Sequence, residues 1–209
     1  MKKGEWHSWT WRHDQYELRG KTVGIVGGGA IGKGVMQRLQ GWECTLIYSD
    51  PYRMPIEKEQ ELHCEYVDLD TLLERSDVVS LHCPLMDSTY HMINRESIKK
   101  MKDGVILVNT SRGGLVKTAD LIEGIRARKF FAVGLDVYEE EKKNVFEDRS
   151  DEIMETSITA RLLSFPNVII TSHQGFFTYE ALDAISETTL NNAMAFTKGE
   201  RTGNEVEIE

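Results

Sequence analysis

The segment Gly27-Gly28-Gly29-Ala30-Ile31-Gly32 has the spacing G-x-G-x-x-G and follows directly on an apolar run, Thr22–Val26. Each glycine in that spacing has a physical task. Gly27 permits a tight turn, Gly29 lets the backbone approach a pyrophosphate, and Gly32 lets the following helix pack closely on its strand. The helix N-terminus then offers unpaired N–H groups and a positive dipole end to the phosphates. A second apolar run leads to Asp50, 18 residues beyond Gly32. There a carboxylate accepts hydrogen bonds from the adenosine ribose and repels a 2′-phosphate, which favours NAD over NADP. A glycine run by itself is equally a flexible turn. Strand, helix, second strand and acid in that order carry the dinucleotide reading. Gly20-Lys21-Thr22 does not make a P-loop, because Gln15 stands where that motif requires its first glycine.

A second set of polar residues follows the later apolar runs. His82-Cys83-Pro84 comes after DVVSL, and Thr110-Ser111-Arg112-Gly113-Gly114 after VILVN. Asp136 and then Glu139-Glu140-Glu141 come after FAVGL, and Ser172-His173-Gln174 after VIIT. In a doubly wound sheet these are the carboxyl ends of the strands, where ligands sit. An arginine, a carboxylate and a histidine then share one rim. Arg112 offers a planar fork suited to a carboxylate or carbonyl. A histidine beside a carboxylate is the usual acid–base pair near neutral pH. Singly, each has a plainer role: His173 as a cap or core histidine, Arg112 as a surface ion-pair partner, any of Glu139–Glu141 as part of a solvated charge run. The residues alone leave these open. His7, His13, His63 and His91 follow no strand end and read as surface residues. Cys83 reads as a wall of the cofactor site, since no base adjoins it.

The elements that must position these groups are legible as short β-branched runs alternating with helical stretches. Strands are expected at Thr22–Val26, Cys44–Tyr48, Glu65–Val67, Asp77–Leu81, Val105–Asn109, Phe131–Leu135 and Val168–Thr171. Helices are expected at Ala30–Gln40, Leu69–Arg75, Arg95–Met101, Thr118–Arg128 and Thr178–Lys198. Nearly continuous apolar strands joined by helices imply an α/β, doubly wound parallel sheet of the Rossmann type with right-handed crossovers. The core of that unit should run over residues 20–198. Residues 1–19 form an arm carrying Trp6, Trp9 and Trp11, residues 199–209 a polar tail, and the charged stretch Glu139–Ser150 a loop.

With 209 residues, 40% hydrophobic and 28% charged, the chain can bury a core without staples. Its formal charge of −9 makes it a poor partner for nucleic acid. Cys44, Cys64 and Cys83 are odd in number and far apart, so neither a disulfide framework nor a metal clip is expected. No apolar run approaches the ~18 residues of a membrane span, and the polar start is no signal peptide. A reducing, cytoplasmic setting follows, and with it the sequon Asn109-Thr110-Ser111 is discounted. Three tryptophans in a short polar arm suggest an interface, and a homodimer is expected.

Five ordered stretches make the sequence resemble the D-isomer-specific 2-hydroxyacid dehydrogenases over about residues 15–200. They are GKTVGIVGGGAIG, SLHCPL, MKDGVILVNTSRGGLV, GLDVYEEE with NVFED, and FPNVIITSHQGFFTYEAL. The last two look most like the D-lactate branch. The resemblance implies NAD as cofactor, a small 2-oxo or 2-hydroxy acid as substrate, and dimers formed through the nucleotide-binding domains. It implies that Arg112 orients the substrate and polarises its carbonyl, and that His173 gives the ketone its proton. It implies that Glu141, five residues beyond Asp136, holds that histidine. Ala30, Ile31, Asp50, Cys83, Pro84, Thr89, Thr110 and Asp136, together with Ser111 and Arg112, are the implied cofactor positions.

Members of that family also carry a substrate domain, much of it preceding the linker helix at which this chain starts. A domain of roughly 100–150 residues is therefore expected to be missing here. The reading that follows is the NAD-binding, catalytic-residue-bearing part of a D-2-hydroxyacid, most simply D-lactate, dehydrogenase. The alternative is a non-catalytic NAD-binding regulatory or interaction protein of the same fold.

Overall fold

The computed structural model describes residues 17–139, 158–171 and 173–205. Seven strands form one parallel sheet in the order β3-β2-β1-β4-β5-β6-β7. They are β1 Thr22–Val26, β2 Thr45–Ser49, β3 Cys64–Tyr66, β4 Val78–Leu81, β5 Val105–Asn109, β6 Phe130–Leu135 and β7 Val168–Ile170. The helices are α1 Ala30–Leu39, α2 Ile56–Glu61, α3 Leu69–Arg75, α4 Arg95–Lys100, α5 Thr118–Arg126, α6 Ile158–Ser164 and α7 Tyr179–Lys198. The expected doubly wound sheet is present.

Strand periodicity explains the two layers of core. Side chains alternate faces along a strand, so Val23 and Ile25 of β1, with Leu46 and Tyr48 of β2, join Met36 and Leu62 on one face. Val26 and Ile47 point the other way, into the larger cluster that holds Leu72, Leu107 and Leu121. Strands apolar at consecutive positions are what a sheet covered on both faces requires.

Boundaries differ from expectation by a residue or two. Asp77 stays outside β4 because its carboxylate caps the start of β1, accepting from the Thr22 N–H at 2.8 Å. Thr178 is not helical: its side chain caps α7 by accepting from the Ala181 N–H at 3.2 Å. Two helices, α2 and α6, are additional to those expected. The loop expected at Glu139–Ser150 lies outside the described residues apart from Glu139, as does the arm apart from residues 17–19. Among the described residues no helix is long and apolar enough to cross a membrane.

The order reverses between β1 and β4: from β1 the chain goes outward to β2 and β3, then returns to β4 beside β1. That leaves a crevice outside the carboxyl ends of β1 and β4, the place where ligands bind in such sheets.

Candidate active site

The glycine-rich turn leaves β1 at this crevice. Gly27 has φ +102°, and a Cβ there would stand 2.7 Å from the Cys83 nitrogen and from the His82 carbonyl carbon. A Cβ on Gly32 would stand 2.0 Å from the Gly27 oxygen. The first and third glycines are thus demanded by the chain's own packing. Gly29 differs: a Cβ there meets no atom of the described residues within 4 Å. Its side of the turn is open, beside the N-terminus of α1, where no side chain caps the orphan N–H groups. A pyrophosphate fits that cradle by shape and by charge.

Asp50 stands just past β2, half-buried. Its Oδ2 accepts from the Gly28 N–H at 2.7 Å and its Oδ1 from the Tyr52 N–H at 2.8 Å. A carboxylate oxygen has two lone-pair sites, so both oxygens retain capacity for ribose hydroxyls while the backbone fixes their aim.

A cleft of about 1020 Å³ runs along the strand ends from this turn. Of the residues anticipated for the site, Ile31, Cys83, Pro84, Ser111, Arg112 and His173 line it together. The Ser111 hydroxyl donates to the Cys83 carbonyl at 2.6 Å and ties the β5 turn to the β4 turn. Arg112 is exposed, and its Nη1 donates to the Ser111 carbonyl at 2.7 Å. His82 pairs with the Ser80 hydroxyl at 2.9 Å, and burial pushes its imidazole below the ordinary value.

His173 is held in the left-handed region, at φ +51°, where few residues other than glycine sit. Its backbone N–H donates to the Asp136 carbonyl at 2.8 Å. Backbone strain of this kind gathers at functional sites.

Thr89, Thr110 and Asp136 stand outside the cleft lining. The Thr89 hydroxyl braces the turn after Pro84, donating to the Pro84 carbonyl at 2.8 Å and accepting from the Met86 N–H at 2.8 Å. Thr110 is exposed. Asp136 is 8% exposed and accepts from the Thr171 hydroxyl, from the Gln174 N–H at 2.9 Å and from the Gly175 N–H at 3.1 Å. Burial raises its pKa most, but those hydrogen bonds and nearby His173 together leave it below the usual carboxylate value. Asp136 therefore acts as the post that holds the His173 loop on β6. Glu141 lies outside the described residues.

Two residues were missed or misread from sequence. Asn109, noticed there as a glycosylation signal, is 1% exposed. Its Nδ2 donates to the Arg112 carbonyl at 2.9 Å and its Oδ1 accepts from the Ser111 N–H at 3.1 Å, so it shapes the arginine turn. His91, read as a surface residue, has a side chain only 23% exposed and pairs with Glu139 at 2.6 Å. It also stacks on Tyr90 with centroids 3.8 Å apart. The other Glu139 oxygen accepts from the Thr118 N–H at 2.7 Å. Burial pushes the Glu139 carboxyl up, and Thr118 and His91 more than offset it, so the net direction is down. The pair ties the segment before α4 to the segment that follows β6, where Glu139 itself lines the cleft. An apolar strand that ends in asparagine was the available sign for Asn109. His91 and Glu139 are 48 residues apart and carry no local sign.

Residues 1–175 match the family model for the NAD-binding domain of D-isomer-specific 2-hydroxyacid dehydrogenases. The chain belongs to that family. It is 48% identical to a D-lactate dehydrogenase of Curvularia clavata over 90% of its own length and 53% of that protein. It is 44% identical to the D-lactate dehydrogenase of Escherichia coli K12 over 91% of its length and 57% of that protein. Among solved structures it resembles the D-lactate dehydrogenase with NAD⁺ from Lactobacillus jensenii, with TM-score 0.82 and 33% identity. That likeness covers 93% of this chain and 58% of the other. The chain spans about half the length of the relatives it matches.

Proposed function

We propose that the chain is the NAD-binding, catalytic-residue-bearing part of an NAD-dependent dehydrogenase that interconverts pyruvate and D-lactate. The observation that carries this reading is that Arg112 and His173, from β5 and β7 turns, line one cleft with Ile31 of the glycine-rich turn. Relatives named D-lactate dehydrogenases support the choice of acid.

The cofactor, when bound, supplies the hydride to the keto carbon or removes it from the hydroxy acid. The chain's residues do the rest. The Arg112 guanidinium pairs with the substrate carboxylate and polarises the carbonyl. His173 donates a ring proton to the ketone oxygen as it becomes a hydroxyl, and takes that proton back in the oxidation direction. Glu141 stabilises the charged imidazole. Asp136 and Asn109 fix the two turns from which His173 and Arg112 project. The same reading takes residues 20–198 as the nucleotide-binding unit, between an arm at 1–19 and a tail at 199–209, acting as a cytoplasmic homodimer.

Residues 1–209 should gain melting temperature with added NADH, yet reduce pyruvate near background. An exposed ion pair at Arg112 is worth ~0–1 kcal/mol, whereas full positioning of reactants contributes ~7–11 kcal/mol. Joined in frame to the remaining half of the Escherichia coli relative, the chain should turn over at ~10 per second and lose this with His173→Gln. A folded, NADH-binding fusion without turnover would favour the non-catalytic NAD-binding alternative.

A further inference from the structure

Helix α2 takes no part in the chemistry above, yet it buries a charge. Glu59 is 5% exposed. Its Oε1 accepts from the hydroxyl of fully buried Tyr48 at 2.7 Å. Arg53 donates to both carboxylate oxygens, from Nε to Oε1 and from Nη2 to Oε2, each at 2.8 Å. The same guanidinium stands over the Tyr66 ring, 5.3 Å from its centroid. The Tyr48 oxygen in turn accepts from the Met54 N–H at 2.9 Å. A buried ion pair is costly to desolvate and weak as a source of stability. This one pins a single turn, residues 50–54, in one geometry.

That turn is the ribose end of the cofactor site. Asp50 opens it, and a Cβ on Gly28 would stand 3.2 Å from the Tyr48 ring. An arginine just beyond the β2 acid is the kind of group that accommodates a 2′-phosphate where NADP is bound. Its fork matches phosphate oxygens in pairs. Arg53 has the right identity for that task and a side chain 56% exposed, but its fork is occupied on both carboxylate oxygens of Glu59.

We propose that Glu59 is a cofactor-selectivity residue: it withdraws Arg53 from the 2′ position of the adenosine ribose. Discrimination against NADP then rests on a sequestered cation as well as on the Asp50 carboxylate. The proposal rests on the NAD-binding reading of Gly27–Asp50, which NADH binding by the unmutated chain tests separately.

The test is calorimetric Kd for NADH and NADPH on residues 1–209, unmutated and as Glu59→Gln, Arg53→Ala and the double variant. Glu59→Gln keeps an acceptor for the Tyr48 hydroxyl and removes the charge that holds Arg53. It should improve NADPH relative to NADH by about tenfold, the size of one charge-assisted contact. The double variant should lose that gain. Arg53→Ala alone should leave the ratio of the two Kd values within about twofold, since a tenfold change equals 1.4 kcal/mol. An unchanged ratio in a folded, NADH-binding Glu59→Gln protein overturns the proposal, as does a gain that survives in the double variant. Should Glu59→Gln not fold, Arg53→Ala decides: selective loss of NADPH affinity means Arg53 already serves the phosphate and refutes the withdrawal, while an unchanged ratio upholds it. An unmutated chain that binds neither dinucleotide overturns the NAD-binding reading and the proposal together.

Discussion

Gly29→Ala separates what the fold needs from what the cofactor needs. Gly29 has φ −70° and ψ −167°, an extended conformation that alanine adopts without strain. A Cβ there meets nothing among the described residues within 4 Å. Loss of unfolded-state entropy should then stabilise the unliganded protein by ~0.4–1 kcal/mol, or ~1–4 °C for a chain of this size. On the proposed placement of the cofactor, the methyl group stands where the pyrophosphate approaches. Overpacking costs ~1–3 kcal/mol, and ~2.7 kcal/mol weakens binding about a hundredfold. At a NADH concentration of ~100 times the unmutated Kd, the unmutated chain gains ~2.7 kcal/mol, or ~5–11 °C. The variant at that concentration sits near its own Kd and gains ~0.4 kcal/mol, or ~1–2 °C. Gly32→Ala provides the contrast, because its Cβ would lie 2.0 Å from the Gly27 oxygen. It should unfold at lower temperature with or without ligand. The assay is thermal unfolding followed by circular dichroism with and without NADH. A Gly29→Ala protein that keeps the full NADH shift would refute placement of the pyrophosphate on the open side of the turn.

Arg53 first, then Tyr48, hold Glu59 at a pKa of about 2 in the folded chain, below its unfolded ~4.3. Its stabilising share is complete above ~4.3 and is lost as pH falls toward 2. Glu59→Gln should therefore flatten the decline in urea midpoint across that interval, and an unchanged slope would count against the pairing. Asn109→Ala removes two hydrogen bonds from the Ser111–Arg112 turn and should cost ~1–3 kcal/mol, read as a fall of ~2–12 °C in melting temperature. Light scattering at micromolar protein should give a dimer mass, and a monomer would reject the association proposed for this chain.

The fold was legible wherever burial imposes a simple pattern. Thr22–Val26 and Val105–Asn109 are apolar because helices cover both faces of the sheet, and these two strands match expectation at both ends. Helix α2 had no such signature. Its first residue, Ile56, is 52% exposed, while Glu59 is buried at 5%, so the polarity that marks a helix face is inverted there. Tyr48, Arg53 and Tyr66 supply the reason, and they belong to β2, the turn after it and β3. A charge buried by partners on three different elements cannot be read from the order of residues within one of them. Helix ends shifted for a related cause. The Thr178 side chain is spent on the Ala181 N–H, which places the threonine as the cap and Tyr179 as the first helical residue.

The candidate site divides along the same line. Gly27, Gly32 and Asp50 were recognisable because their constraints act within one strand–turn–helix–strand unit, and the close approaches at Gly27 and Gly32 are the distances that forbid a side chain there. Asn109 aims the Arg112 turn from three positions away, whereas the His173 loop is held from across the sheet. Asp136, just past β6, receives the loop that carries His173 after β7, and a Cβ on Gly113 would meet the Tyr138 carbonyl carbon at 2.3 Å. The β5 turn therefore rests directly on the segment that leads from β6 toward Glu139. Once Gly113 permits that contact, Glu139 reaches both the Thr118 N–H and His91. At the ends of their strands Arg112 is exposed and His173 is half-buried. The His173 loop is fixed by Asp136, a buried polar group one strand away, which sequence spacing does not record.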